Sequence, residues 1–125
     1  MALKILLVDD EQDILDFLEL ILEESGYAVV KASSGPEALA AAQLHHPDLI
    51  LLDVMMPEMD GWEVLKLLKA DEEVADIPVA MLTARTEMKD KIQGLQEGAI
   101  DYICKPFSTK ELMEKLQIIF AQVRK

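Results

Sequence analysis

Lys4-Ile5-Leu6-Leu7-Val8-Asp9-Asp10-Glu11 is a short apolar run that stops abruptly at three acids. Apolar residues at consecutive positions are what a buried parallel strand requires, because both faces of such a sheet are covered. Four similar runs follow, at 28–31 (AVVK), 49–52 (LILL), 79–82 (VAML) and 102–104 (YIC). The stretches between them are longer and repeat with helical spacing. Ile14, Leu18, Ile21 and Leu22 form one stripe, and Met88, Ile92 and Leu95 another. Leu112, Leu116, Ile119, Phe120 and Val123 form the clearest.

Helix starts are marked by Ser34-Gly35-Pro36-Glu37 and Ser108-Thr109-Lys110-Glu111. Both fit a capping box, in which serine and glutamate satisfy each other's free amides. Gly26 suits the left-handed turn that ends a first helix. The order is thus five repeats of strand and helix. Strands joined through helices run parallel, and right-handed crossovers put helices on both sides of the sheet. The expected fold is α/β in three layers, with residues 1–125 forming a single domain.

Composition narrows the function classes. The chain has 125 residues, of which 51% are hydrophobic, too many for a disordered chain. No stretch approaches the roughly 20 apolar residues that cross a bilayer. Met1-Ala2-Leu3-Lys4 does not open a signal peptide, and the single cysteine, Cys104, cannot form an internal disulfide. A cytoplasmic domain is the expectation. Asp and Glu number 24 against 12 Lys and Arg, a net charge of -12. Such a surface repels phosphate backbones, so this chain should not bind nucleic acid by general electrostatics.

Ligands of open α/β sheets bind beyond the carboxyl ends of the strands. Here the strands end in Asp9-Asp10, in Asp53, in Thr83 and at Lys105-Pro106. Asp9 and Asp10 could simply cap the first helix, and Lys105 could simply pair with a carboxylate. Five such residues at one sheet edge argue jointly for a site. Carboxylates crowded together repel until a positive charge neutralises them. Mg²⁺ suits such a set, since it binds through a few carboxylates and keeps waters that a phosphate can replace.

Four segments, Val8-Asp9-Asp10-Glu11, Asp53-Val54-Met55-Met56-Pro57-Glu58-Met59-Asp60-Gly61, Leu82-Thr83-Ala84 and Lys105-Pro106-Phe107, together resemble the receiver domains of two-component response regulators. The resemblance spans the chain in order. It implies a flavodoxin-like (βα)5 fold with five parallel strands in the order 2-1-3-4-5. It implies that Asp53 is the phosphoacceptor and that Asp9 and Asp10 hold Mg²⁺, Asp10 directly and Asp9 often through water. The backbone carbonyl of Met55 would complete the metal shell. Thr83 would hydrogen-bond one phosphoryl oxygen and Lys105 would pair with another. Thr83 and Tyr102 would form a switch, the ring turning inward as the Thr83 hydroxyl moves toward Asp53.

The partners implied are a histidine kinase or histidine phosphotransfer protein, and a downstream target or attached output domain. A phosphorylation-dependent homodimer is a further option. Met55 and Arg85, two residues beyond Asp53 and Thr83, would flank the attacking water, and apolar Met55 should lengthen the phosphoryl lifetime. A cis Lys105-Pro106 bond, frequent in the family, would fix the lysine's direction, and the sequence alone leaves the isomer open.

Three rivals fit less well. An aspartyl-phosphate phosphatase needs a second acid where Met55 stands. A flavodoxin-type cofactor binder needs a hydroxyl- or glycine-rich loop where Asp9-Asp10-Glu11 stands. A degenerate receiver used only for protein contacts would not keep the five-residue set. His45 and His46 are expected to finish a helix before Pro47, Cys104 to fill core space, and Trp62 to pack near a helix start.

Overall fold

The structure, a computed structural model, describes residues 2–83 and 98–123. It contains β1 (Lys4–Val8), α1 (Gln12–Glu24), β2 (Ala28–Ala32), α2 (Gly35–His45), β3 (Leu49–Asp53), α3 (Gly61–Ala70), β4 (Val79–Thr83), β5 (Asp101–Cys104) and α4 (Thr109–Val123). The five strands are all parallel, in the order β2-β1-β3-β4-β5. The helical stripe expected at Met88, Ile92 and Leu95 lies outside the described residues.

Alternation along each strand makes two cores, because successive side chains leave opposite faces of a sheet. Leu6, Val8, Ile50, Leu52, Val79 and Met81 face α2 and α3, meeting Ala38, Ala42, Val64, Leu65 and Leu68. Ile5, Leu7, Leu49, Leu51, Ala80 and Leu82 face α1 and α4, meeting Leu15, Leu18, Leu22, Leu112, Leu116 and Ile119. These are the three layers. Uniformly apolar strands are needed only at the centre. The edge strands β2 and β5 are half-buried, and Lys31 and Cys104 reflect that. Cys104 is therefore not a core residue.

Asp53 and Thr83 are the last residues of β3 and β4, where the sequence reading put the ends of those strands. Two helix faces differ from that reading. In α1 the buried face is Leu15, Leu18 and Leu22, with Ile14 and Ile21 only flanking it. Val123 is exposed, because it lies a turn beyond the last residue that α4 buries.

The helix ends follow local chemistry. Ser108 and Glu111 form the reciprocal box: the Glu111 amide donates to Ser108 Oγ at 3.1 Å and the Ser108 amide to Glu111 Oε1 at 3.3 Å. At α2 only half the box forms. The Glu37 amide donates to Ser34 Oγ, while the Glu37 carboxylate accepts from the Ser33 hydroxyl at 2.8 Å. Gly26 takes a φ of 95° after α1. His45 ends α2, and His46 follows in a left-handed turn with Nε2 2.9 Å from the Glu73 carbonyl. Trp62 packs in the first turn of α3 against the core shared with α2.

Candidate phosphoacceptor site

Parallel register brings the strand ends together. Val8 pairs with Leu52, Asp53 with Leu82, and Thr83 with Cys104. Asp9, Asp53, Thr83 and Lys105 must therefore emerge side by side, although up to 96 residues separate them along the chain. The Lys105 amide donates to the Thr83 carbonyl at 2.6 Å, and the Val54 amide to the Leu82 carbonyl at 3.0 Å. These bonds carry the pairing one step beyond the strands.

One carboxylate oxygen from each of Asp9, Asp10 and Asp53 lies within 4.8 Å of the others. This is the one such trio among the described residues. Its members differ in setting. Asp9 is fully buried, Asp53 is 3% exposed, and Asp10 faces solvent. Lys105 Nζ donates to Asp9 Oδ2 at 3.0 Å and to Asp53 Oδ1 at 3.3 Å. The Glu11 amide donates to Asp9 Oδ1 at 3.0 Å, so both Asp9 oxygens are engaged. Asp9 thus partly fills the helix-start role considered above, while Glu11 takes the cap position. The Met55 amide donates to Asp53 Oδ1 at 3.3 Å, and Met55 is 72% exposed. Thr83 is buried at the same edge. Arg85 lies outside the described residues. The Lys105-Pro106 peptide is cis.

The electrostatics follow. Burial pushes the Asp53 carboxyl up to about 6, the neighbouring Asp9 adds to the rise, and Lys105 opposes it. Burial alone would lower Lys105, but its hydrogen bond to Asp9 and the charge of Asp53 outweigh that and leave it raised. Two buried anions share one ammonium. A third carboxylate, Asp10, stands at the solvent side with no partner among the described residues. That excess of oxygen ligands fits a hard divalent cation.

Two supporting residues became apparent only with the backbone. A Cβ on Gly61 would collide with the Asp53 carbonyl oxygen and lie 2.8 Å from Val54 Cα. α3 therefore starts directly against the strand end that carries Asp53, and the Gly61 amide donates to the Val54 carbonyl at 3.0 Å. Asp60 is a helix cap, its carboxylate accepting from the Glu63 amide at 3.0 Å. The Asp60-Gly61 pair was visible in the sequence, but the steric need was not. Tyr102 sits in β5, half-buried against the core shared with α2 and α3.

The family model of the response regulator receiver domain matches residues 5–117. The chain belongs to this family. It is 49% identical over 116 residues to the alkaline phosphatase synthesis transcriptional regulatory protein PhoP of Bacillus subtilis (strain 168), covering 93% of this chain and 48% of that protein. It is 43% identical over 123 residues to the phosphate regulon transcriptional regulatory protein PhoB of Klebsiella pneumoniae, covering 98% and 54%. This receiver spans about half the length of the curated relatives it matches. The Vibrio cholerae chemotaxis protein CheY4 superposes with a TM-score of 0.90 at 36% identity, covering 95% of this chain and 99% of that one. The expected fold and strand order hold, and the chain is a receiver domain of two-component response regulators. Among its described residues no helix is long and apolar enough to cross a membrane.

Proposed function

We propose that Asp53 accepts a phosphoryl group from a phosphohistidine on a histidine kinase or histidine phosphotransfer protein, or from a small acyl phosphate. The observation that carries this is Lys105, whose ammonium bridges buried Asp9 and Asp53 beside exposed Asp10. Residues 1–125 act as one cytoplasmic receiver unit in this reading. Asp9, Asp10, Asp53 and the Met55 carbonyl would hold Mg²⁺, Asp9 often through water. When bound, Mg²⁺ supplies the charge that screens the carboxylates from each other and from the phosphoryl oxygens.

The chain's own groups then position the transfer, which is mostly a matter of placement and electrostatics. An Asp53 oxygen attacks phosphorus. The P–N bond of the donor breaks, and its electron pair returns to the imidazole nitrogen, which takes up a proton. Lys105 exchanges Asp53 Oδ1 for a phosphoryl oxygen while Asp9 keeps hold of it. Thr83 donates its hydroxyl to another phosphoryl oxygen, and Tyr102 follows. In hydrolysis a water attacks phosphorus, inorganic phosphate leaves, and the Asp53 carboxylate is restored. Met55 offers that water no hydrogen bond, which favours a long-lived phosphoryl group. The activity is slow and self-directed, that of a switch.

The output lies with an attached domain, a separate protein or a second phosphorylated copy. The relatives' names as transcriptional regulators support an attached domain that binds DNA, since a chain of net charge -12 is ill suited to do so itself.

Incubation with radiolabelled acetyl phosphate and Mg²⁺ tests the reading. Label should enter the wild-type chain and be absent from Asp53→Asn. Undiminished label in the variant overturns it.

A further inference from the structure

Lys115 lies on α4 and makes two contacts with β5 that the chemistry at Asp53 does not use. Its Nζ is 3.1 Å from Asp101 Oδ1 and sits over the Tyr102 ring, 5.1 Å from the centroid. Asp101 and Tyr102 are consecutive, so a single ammonium joins the helix to both the carboxylate and the ring. The Asp101 carboxylate is only 15% exposed and Lys115 32%, so the pair is partly withdrawn from water. With Glu111, Glu114 and Ile118, Tyr102 and Lys115 line a surface groove of about 350 Å³.

Tyr102 is joined to the site from two directions. It pairs with Met81, two residues before Thr83, and it lies three residues before Lys105. The ring packs against the core shared with α2 and α3, with Lys115 over it. A turn of the ring away from this place would withdraw it from the ammonium. The cation–π attraction falls away with distance, so the separation costs energy. Asp101 keeps the ammonium aimed, because it fixes the cation independently of the ring.

We infer that Lys115 is a positioning residue that clasps the Tyr102 ring where it lies in this structure and so biases the domain toward the unphosphorylated state. The consequence for phosphorylation rests on the proposed function, with Asp53 as phosphoacceptor and Tyr102 moving with Thr83; the clasp itself does not. Lys115→Gln removes the cation and both contacts. Lys115→Arg keeps a cation that can both pair with Asp101 and lie over the ring.

Two readouts test this on the full chain at a concentration where it is monomeric by light scattering. With 3-fluorotyrosine incorporated, the Tyr102 resonance is assigned by its loss in Tyr102→Phe. It should shift in Lys115→Gln and stay near the wild-type position in Lys115→Arg, with no phosphoryl donor present. Labelling by acetyl phosphate should be roughly two- to five-fold faster in Lys115→Gln, the factor an exposed cation–π contact supplies. The same change made on Tyr102→Leu should leave the rate unaltered, since no ring remains to clasp. An unshifted resonance overturns the clasp, whatever happens to labelling. A rate gain that persists without the ring overturns the link to phosphorylation. Absence of label from wild type and variants alike, with the resonance still shifted in Lys115→Gln, would indict the Asp53 reading and leave the clasp standing; labelling of Lys115→Gln no faster than wild type overturns the link to phosphorylation.

Discussion

Asp53 carries a conflict that its neighbours only partly resolve. Its carboxyl is pushed from 3.8 up to about 6 by burial and by Asp9. The folded chain therefore holds a proton there that the unfolded chain has already lost. This contribution to stability is complete below pH 3.8 and disappears as the pH rises through about 6. At neutral pH without Mg²⁺ the wild type bears the cost of a buried anion that Lys105 must share with Asp9. Asp53→Asn should then be more stable than wild type by about 1–3 kcal/mol. Urea titrations in EDTA at several pH values check this. The gap should be widest above pH 6 and close toward pH 4, and a gap indifferent to pH would show that charge is not its cause.

At the scale of elements, the site depends on where helices begin. α3 starts with Gly61 pressed against the Asp53–Val54 backbone, and a Cβ there has no room. Gly61→Ala forces α3 away from the strand end, at a cost of about 1–3 kcal/mol in stability. It should also slow acetyl phosphate labelling, because the Asp53 carbonyl is what the new methyl displaces. Ser108→Ala is the matched control. It removes the cap of α4 and should cost about 1 kcal/mol, yet leave labelling unchanged. Chemical melts and labelling rates on both variants separate the two effects. Equal labelling losses would mean that any loosening of the fold slows the chemistry.

At the scale of the whole molecule, a net charge of -12 makes every added cation stabilising to some degree. General screening and a specific site differ in dose and in sensitivity to mutation. Mg²⁺ at ten times its dissociation constant should add about 1.4 kcal/mol through binding. NaCl at equal ionic strength should add less. Asp10→Asn removes the exposed member of the trio without disturbing Asp9 or Lys105. Its thermal midpoint should respond to Mg²⁺ and NaCl alike. A wild-type response in the variant would exclude Asp10 as a ligand.

Much of this was decided within short stretches of sequence. Apolar runs of four or five residues mark strands, and Ser-x-x-Glu marks helix starts. Acids at the ends of such runs mark a ligand edge, because these signals act over one or two turns of chain. Leu15 shows where local reading fails. The stripe Ile14, Leu18, Ile21 and Leu22 is as regular as the buried one, and only the position of the sheet selects Leu15 for the interior. The site divides in the same way. The sequence supplied Asp9, Asp10, Asp53, Thr83 and Lys105 as strand-end residues. Tertiary structure alone decided that Asp9 is buried and bonded on both oxygens while Asp10 faces water. It alone placed Gly61 against Asp53 and Lys115 over Tyr102. Those relations join residues far apart in the chain, and the sheet order and register that bring them together are properties of the assembled layers.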